Sequence, residues 1–248
     1  IGGGAAGRSA ADAAVSAGCS TVVVERDQRR TQSEQLPLLD GTAVALSPSD
    51  GGWLVLVQGH ETGREVTART VLVATGAYVE PREHRPIAGP RPAGIYTADL
   101  VERLLVAGMR PGRRVALVGT SRRADALAAA LADAGARVQR VADAPDAVRG
   151  ERRLEAARFD GAWLEADTLV LADRLVPQAF LLRGLGILDG RPGTPLPVDA
   201  DGRLPLEGLW AAGCCVAPSM DHEACAESGR RIATALASSL AIRNRVPT

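Results

Sequence analysis

The sequence predicts an α/β protein of two similar doubly wound units, the second inserted in the first, with a small antiparallel β-meander. Three observations predict it. A strand–turn–helix–strand device occurs twice, with glycine turns around Gly4 and Gly119. Apolar residues make up 46% of the 248 residues and aromatic ones only 3%, so the core must be built from Ala, Val and Leu. Ala-rich helices on Val- and Leu-rich strands suit a layered protein of this kind. Several apolar runs are short and do not alternate, the pattern of parallel strands covered on both faces.

The elements follow in order. The chain opens on Ile1 and the turn Gly2-Gly3-Gly4-Ala5-Ala6-Gly7. A parallel unit needs a strand before such a turn, so Ile1 reads as the last residue of a strand that is mostly missing, as in a fragment or trimmed chain. An Ala-rich helix is expected over about 5–17, stopped near Gly18. The apolar run 21–24 is then a buried strand ending in Glu25, and 26–41 is polar and turn-like. Short strands at 42–46, 53–57 and 65–68, separated by Ser/Pro/Gly-rich turns, make the meander. Residues 70–74 form another buried strand, ending in Thr75-Gly76.

The Pro- and Gly-rich stretch 81–94 reads as a crossing between units, and 99–106 as a short helix. The second device follows: strand 114–118, turn Gly119-Thr120-Ser121, helix to about 134, strand 137–141, and a third buried strand at 167–172. A last short strand at 208–213 and a helix over 223–242 close the chain. The expected domains are 1–107 with 196–248, and 108–195 inserted between them.

Charge excludes some classes. Lys and Arg number 29, as do Asp and Glu, and the Arg residues are scattered, which leaves no nucleic-acid footprint. No apolar run is long enough to span a bilayer. The four cysteines, Cys19, Cys214, Cys215 and Cys225, form neither a CxxC pair nor a zinc spacing, so no metal site is expected. Reduced thiols and a cytoplasmic setting follow from that usage.

Gly2, Gly4 and Gly7 form G-x-G-x-x-G, and each has a physical task in holding a dinucleotide. Gly2 permits the tight turn, Gly4 lets a pyrophosphate approach the backbone, and Gly7 lets the helix pack closely. The helix N-terminus, with Gly3, Ala5 and Ala6, offers N–H groups and a positive dipole end to phosphates. Glu25 closes the next strand at the distance expected of a carboxylate that takes both ribose hydroxyls and repels a 2′-phosphate. Ala74-Thr75-Gly76 is a strand end that lets backbone come close to a cofactor.

Together Gly2–Gly7, Glu25, 71–76 with Pro81, 119–124 and 209–213 resemble the two-dinucleotide-domain flavoproteins, which include pyridine nucleotide–disulfide and thioredoxin reductases. The stretches 71–81 and 166–186 are similar to the FAD/NAD-binding subunit of multi-subunit amine, sarcosine, proline or opine dehydrogenases. The resemblance implies two Rossmann-like domains, with FAD held by the first through Gly2 to Gly7, Glu25, Val44, Ala74, Thr75, Gly76, Gly213 and Cys214. It implies NAD(P), or a degenerate site, in the second. It also implies an FAD-dependent oxidoreductase, or a flavin-carrying subunit, moving electrons between a small amine or amino-acid substrate or NAD(P)H and a partner. Other dehydrogenase subunits or a homodimer mate are the partners implied. The alternative is a scaffold subunit with a degenerate flavin site.

Four departures matter. Cys214 follows Gly213 where the family carries Asp, and a thiol cannot replace a carboxylate. The stretch between Glu25 and Thr42 is short. Ser121 stands where the second turn should have glycine, with Arg122 or Arg123 as phosphate ligands and Asp143 as a ribose ligand if that turn binds NAD(P). No redox CxxC is present. Adjacent Cys214-Cys215 admits a redox reading, with Cys225 on the following helix able to face them. Apolar packing is the competing reading, since a disulfide between neighbours is strained. Asp99 and Asp173 read as caps or loop residues, His222 as a cap or surface histidine, and no side chain stands out as a catalytic acid or base.

Overall fold

The computed structural model describes residues 1–27, 36–188 and 193–243. Among them lie four α-helices: α1 (Ala5–Ser16), α2 (Ala98–Val106), α3 (Arg122–Asp133) and α4 (His222–Arg243). The chain forms two compact units, Ile1–Ala77 with Val176–Thr248, and Tyr78–Leu175. It passes from the first to the second at Ala77–Tyr78 and returns at Leu175–Val176. These boundaries lie earlier than the 107/108 and 195/196 expected from the sequence. The reason is pairing: Ile95–Thr97 is a strand parallel to Thr168–Leu171, and Leu181 and Leu182 join the core of the first unit.

In the first unit Leu38–Asp40 pairs parallel with Val23–Glu25, and Leu209–Ala211 with Val71–Val73. Ile1 links the two ladders. Its nitrogen donates to the Leu72 carbonyl (2.6 Å) and its carbonyl accepts from Ala74 N–H (2.8 Å), while Gly2 N–H donates to the Val24 carbonyl (2.8 Å). Five parallel segments therefore lie in the order 38–40, 23–25, Ile1, 71–73, 209–211. The strand at 38–40 falls within the stretch read as polar and turn-like. Residues 28–35 of that stretch lie outside the described residues.

The meander is present as Thr42–Ser49, Gly52–Gln58 and Gly63–Ala68, with a β-bulge between Ala43 and Ala45. Its period-two pattern sets its faces: Trp53, Val55 and Val57 are buried while Leu56 and Gln58 face out. The buried set packs with Val24, Val71, Val73, Leu209 and Ala211. On the opposite face of the parallel strands, Trp210 and Ala212 pack with Ala6 of α1 and with Cys225, Ile232 and Leu236 of α4. Alternate residues of one three-residue strand thus feed two cores. A small residue sets how close the two helices come, because a Cβ on Gly229 of α4 would overlap the Ala6 carbonyl.

The second unit repeats the plan. Four parallel strands lie in the order Arg137–Val141, Arg114–Val118, Thr168–Leu171, Ile95–Thr97. Val115, Leu117, Leu169 and Leu171 pack with Val101 of α2 and with Leu127 and Leu131 of α3. A second antiparallel set, Ala147–Arg149, Ala156–Phe159 and Ala162–Glu165, was not expected from the sequence. Its strands are three or four residues long, too short to show alternation. Exposed Trp163 on this set carries the guanidinium of Arg149 over its ring, 4.8 Å from the centroid.

Candidate dinucleotide-binding site

The glycine turn has three different geometries. Gly2 adopts φ +104°, which L side chains disfavour, and a Cβ on it would overlap the Ala74 carbonyl oxygen. A Cβ on Gly7 would overlap the Gly2 carbonyl and lie 3.5 Å from the Ala74 Cβ. Gly4 is different: it has an ordinary φ of −71°, and a Cβ there meets nothing within 4 Å. Gly2 and Gly7 are fixed by packing, whereas the space before Gly4 is open.

Gly4 is also the N-cap of α1, with no side-chain cap. The first bond of the helix ladder is Arg8 N–H to the Gly4 carbonyl, 3.0 Å. The N–H groups of Ala5, Ala6 and Gly7 therefore have no helical partner and carry the positive end of the helix dipole. Such a terminus is suited to phosphate.

Glu25 stands beside this turn. One carboxylate oxygen accepts the Gly3 N–H at 2.6 Å and the other accepts the Asp27 N–H at 2.9 Å. Each carboxylate oxygen still has accepting capacity, which is what paired ribose hydroxyls require. The Gly41 N–H bonds the Glu25 carbonyl (3.1 Å), which brings the start of the meander to this point. Val44 sits at the bulge three residues on and is 44% exposed.

Two more strand ends meet the turn. Ala74 is buried with its carbonyl against Gly2, and Thr75 Oγ1 donates to the Gln178 carbonyl at 2.7 Å. Gly76, at φ +75°, turns the chain away and leaves open space where a Cβ would be. Gly213, at φ +76°, would place a Cβ 2.6 Å from the Ala6 Cβ, so it presses on the first turn of α1. Its N–H donates to Ser228 Oγ of α4 at 3.2 Å. Cys215 is buried, donating to the Ala212 and Val73 carbonyls at 3.2 and 3.4 Å, and burial pushes its thiol up. Half-buried Cys214 instead faces α4, with Sγ 2.9 Å from Cys225 Sγ.

The second turn is filled from within. Asp173 accepts the Thr120 N–H at 2.6 Å and the Ser121 hydroxyl at 2.6 Å. Its carboxyl atoms lie 2.9 Å from where a Gly119 Cβ would be. Ser121 caps α3, accepting from Ala124 N–H at 3.3 Å. Arg123 is held by Glu102 and Asp99, each at 2.7 Å, and its guanidinium is raised above its ordinary value, chiefly by the hydrogen bond to Glu102. Arg140 donates to the Gly119 carbonyl (2.6 Å) and pairs with Asp125. Arg122 and Asp143 are exposed. Asp173 thus does cap a turn, as a lone loop acid was expected to. That the turn it caps is the one at Gly119-Thr120-Ser121 was not visible without the fold.

No protein-family model matches the chain, and no curated protein matches it in sequence. Solved structures do. The L-proline dehydrogenase of P. horikoshii superposes with TM-score 0.75 at 20% identity over 97% of this chain, which spans 55% of that one. The T. acidophilum thioredoxin reductase gives TM-score 0.75 at 16% identity, covering 97% of both chains. The chain has the two-domain pyridine nucleotide–disulfide oxidoreductase fold. A NAD-dependent persulfide reductase from A. fulgidus shares it, with TM-score 0.71 at 20% identity over 96% of this chain and 58% of that one. In this fold the chain carries Cys214 at the last strand end and Asp173 in the second turn. Among the described residues no helix is long and apolar enough to cross a membrane, and no three His, Cys, Asp or Glu are grouped to hold a metal ion.

Proposed function

We propose that the first unit binds FAD, with the pyrophosphate on the N-terminus of α1 and the adenosine ribose on Glu25. The protein on this reading is an FAD-dependent oxidoreductase or the flavin-carrying subunit of one. The observation that carries it is the open space at Gly4 before three helix N–H groups without helical partners, with a carboxylate fixed beside it by the Gly3 N–H.

Bound FAD supplies hydride and electron transfer, and the protein supplies binding and orientation. Glu25 disfavours a 2′-phosphate there by charge repulsion, which selects FAD over a 2′-phosphorylated dinucleotide. Backbone at Ala74, Thr75, Gly76 and Gly213 forms the remaining wall. A small amine or amino acid as substrate, and other dehydrogenase subunits as partners, are supported by the proline dehydrogenase likeness and by the motifs at 71–81 and 166–186. Cys214 favours a second reading, a scaffold subunit without flavin, because its thiol faces Cys225 and offers no carboxylate.

Visible spectra separate the two readings. The purified chain mixed with excess FAD and passed through a desalting column retains flavin absorbance on the first reading. Colourless protein, with all FAD in the salt fraction, overturns it.

The second unit behaves differently. A phosphate reaches its turn only with the Asp173 carboxylate displaced, and the two negative groups repel. Asp173→Gly is therefore expected to tighten NAD(P)H binding at least about tenfold, equivalent to about 1.4 kcal/mol. Calorimetric titration checks this, and equal affinities in wild type and variant contradict it.

A further inference from the structure

Among the described residues, one pair of nucleophilic side chains belongs to neither turn: Cys214 and Cys225, with Sγ atoms 2.9 Å apart. Two thiols in ordinary contact stand farther apart, and a disulfide forms with Sγ atoms about 2 Å apart, so closing the pair needs a movement of about 1 Å. Both backbones are already held together. Gly213 N–H is bonded to Ser228 of α4, and Cys225 N–H to the Asp221 carbonyl at the start of that helix. Cys215 does not compete, since its thiol is turned to the Ala212 and Val73 carbonyls. Of the adjacent Cys214 and Cys215, then, only Cys214 turns its sulfur to Cys225.

We propose that Cys214 and Cys225 are a redox-active dithiol that closes to an intramolecular disulfide by exchange with a low-molecular-weight disulfide. Half-buried Cys214 reacts first. Its thiolate attacks one sulfur of the external disulfide, the S–S bond breaks, and one small thiolate leaves and takes up a proton. Cys225 then loses its proton and attacks the Cys214 sulfur, expelling the second small thiol. The net change is two protein thiols and one small disulfide giving one protein disulfide and two small thiols. Two electrons pass from protein to small molecule.

Burial pushes the Cys214 thiol up to about 12, reinforced by the facing Cys225, Cys215 and Asp221. The thiolate is therefore scarce at neutral pH, and exchange quickens about tenfold per pH unit below that value. The disulfide would tie the turn at Gly213, which presses on Ala6, to the first turn of α4. The dithiol does not depend on FAD binding.

Peptide mass mapping after incubation of the reduced full chain with oxidised glutathione tests this. Cleavage after Arg203 and Arg230 releases peptide 204–230, which contains Cys214, Cys215 and Cys225. The bridge lowers its mass by about 2 Da, and a second cut before Asp221 leaves two fragments joined by that bond. Cys215→Ser keeps the bridge. Cys214→Ser removes it, and Cys225→Ser leaves glutathione on Cys214. Fragmentation of the joined wild-type peptides places the bond on Cys214 or Cys215 without any variant; no bridge within 204–230, or a bridge from Cys225 to Cys215, overturns the proposal.

Discussion

Gly229→Val is expected to destabilise the first unit by about 3 kcal/mol, a fall of about 10 °C in melting temperature. The added Cβ would overlap the Ala6 carbonyl and stand 2.8 and 2.9 Å from its carbonyl carbon and Cα. These are backbone atoms, so no rotamer change relieves the overlap and α1 and α4 must separate. That movement also shifts the helix terminus on which the phosphates would sit, so FAD affinity falls in the same variant. Gly63→Val is the control, because a Cβ there meets nothing within 4 Å. Calorimetric melting of the two variants checks the claim. Equal melting temperatures would show that the helices tolerate the spacing.

Glu25→Ala is expected to weaken FAD binding by about 2–3 kcal/mol, roughly 30- to 150-fold. The carboxylate would lose its bonds to both ribose hydroxyls and would no longer hold the Gly3 N–H. Glu25→Gln keeps an acceptor for that N–H and removes only the charge, so its loss is smaller. Titrations that give all three proteins the same affinity within a factor of two would remove Glu25 from the site.

Much of this was legible in the residues, for identifiable reasons. Glycines at 2, 4 and 7, and a carboxylate closing a Val-rich strand, signal a turn whose geometry is local. Strands 53–57 and 114–118 were legible because burial writes itself as alternation or as continuous apolar runs. The strand at 38–40 was not, since three residues pairing at a sheet edge carry no periodicity. Gly229 and Asp173 were also illegible. Their roles depend on which backbone lies opposite, Ala6 in one case and Thr120 in the other, and that is a property of tertiary packing. The sequence leaves Cys225 able to face either sulfur of the 214–215 pair, and only the turn at Gly213 decides which of the two it meets.

On the proposed function the space before Gly4 holds the pyrophosphate of FAD, and Gly4→Val fills that space. The side chain enters space empty of protein at an ordinary φ, so the change in stability is expected to stay within about 1 kcal/mol. FAD affinity, read by titration of flavin fluorescence, is expected to fall at least about 100-fold, a loss of about 2.7 kcal/mol. A stable Gly4→Val protein that binds FAD as tightly as the wild type would contradict the account.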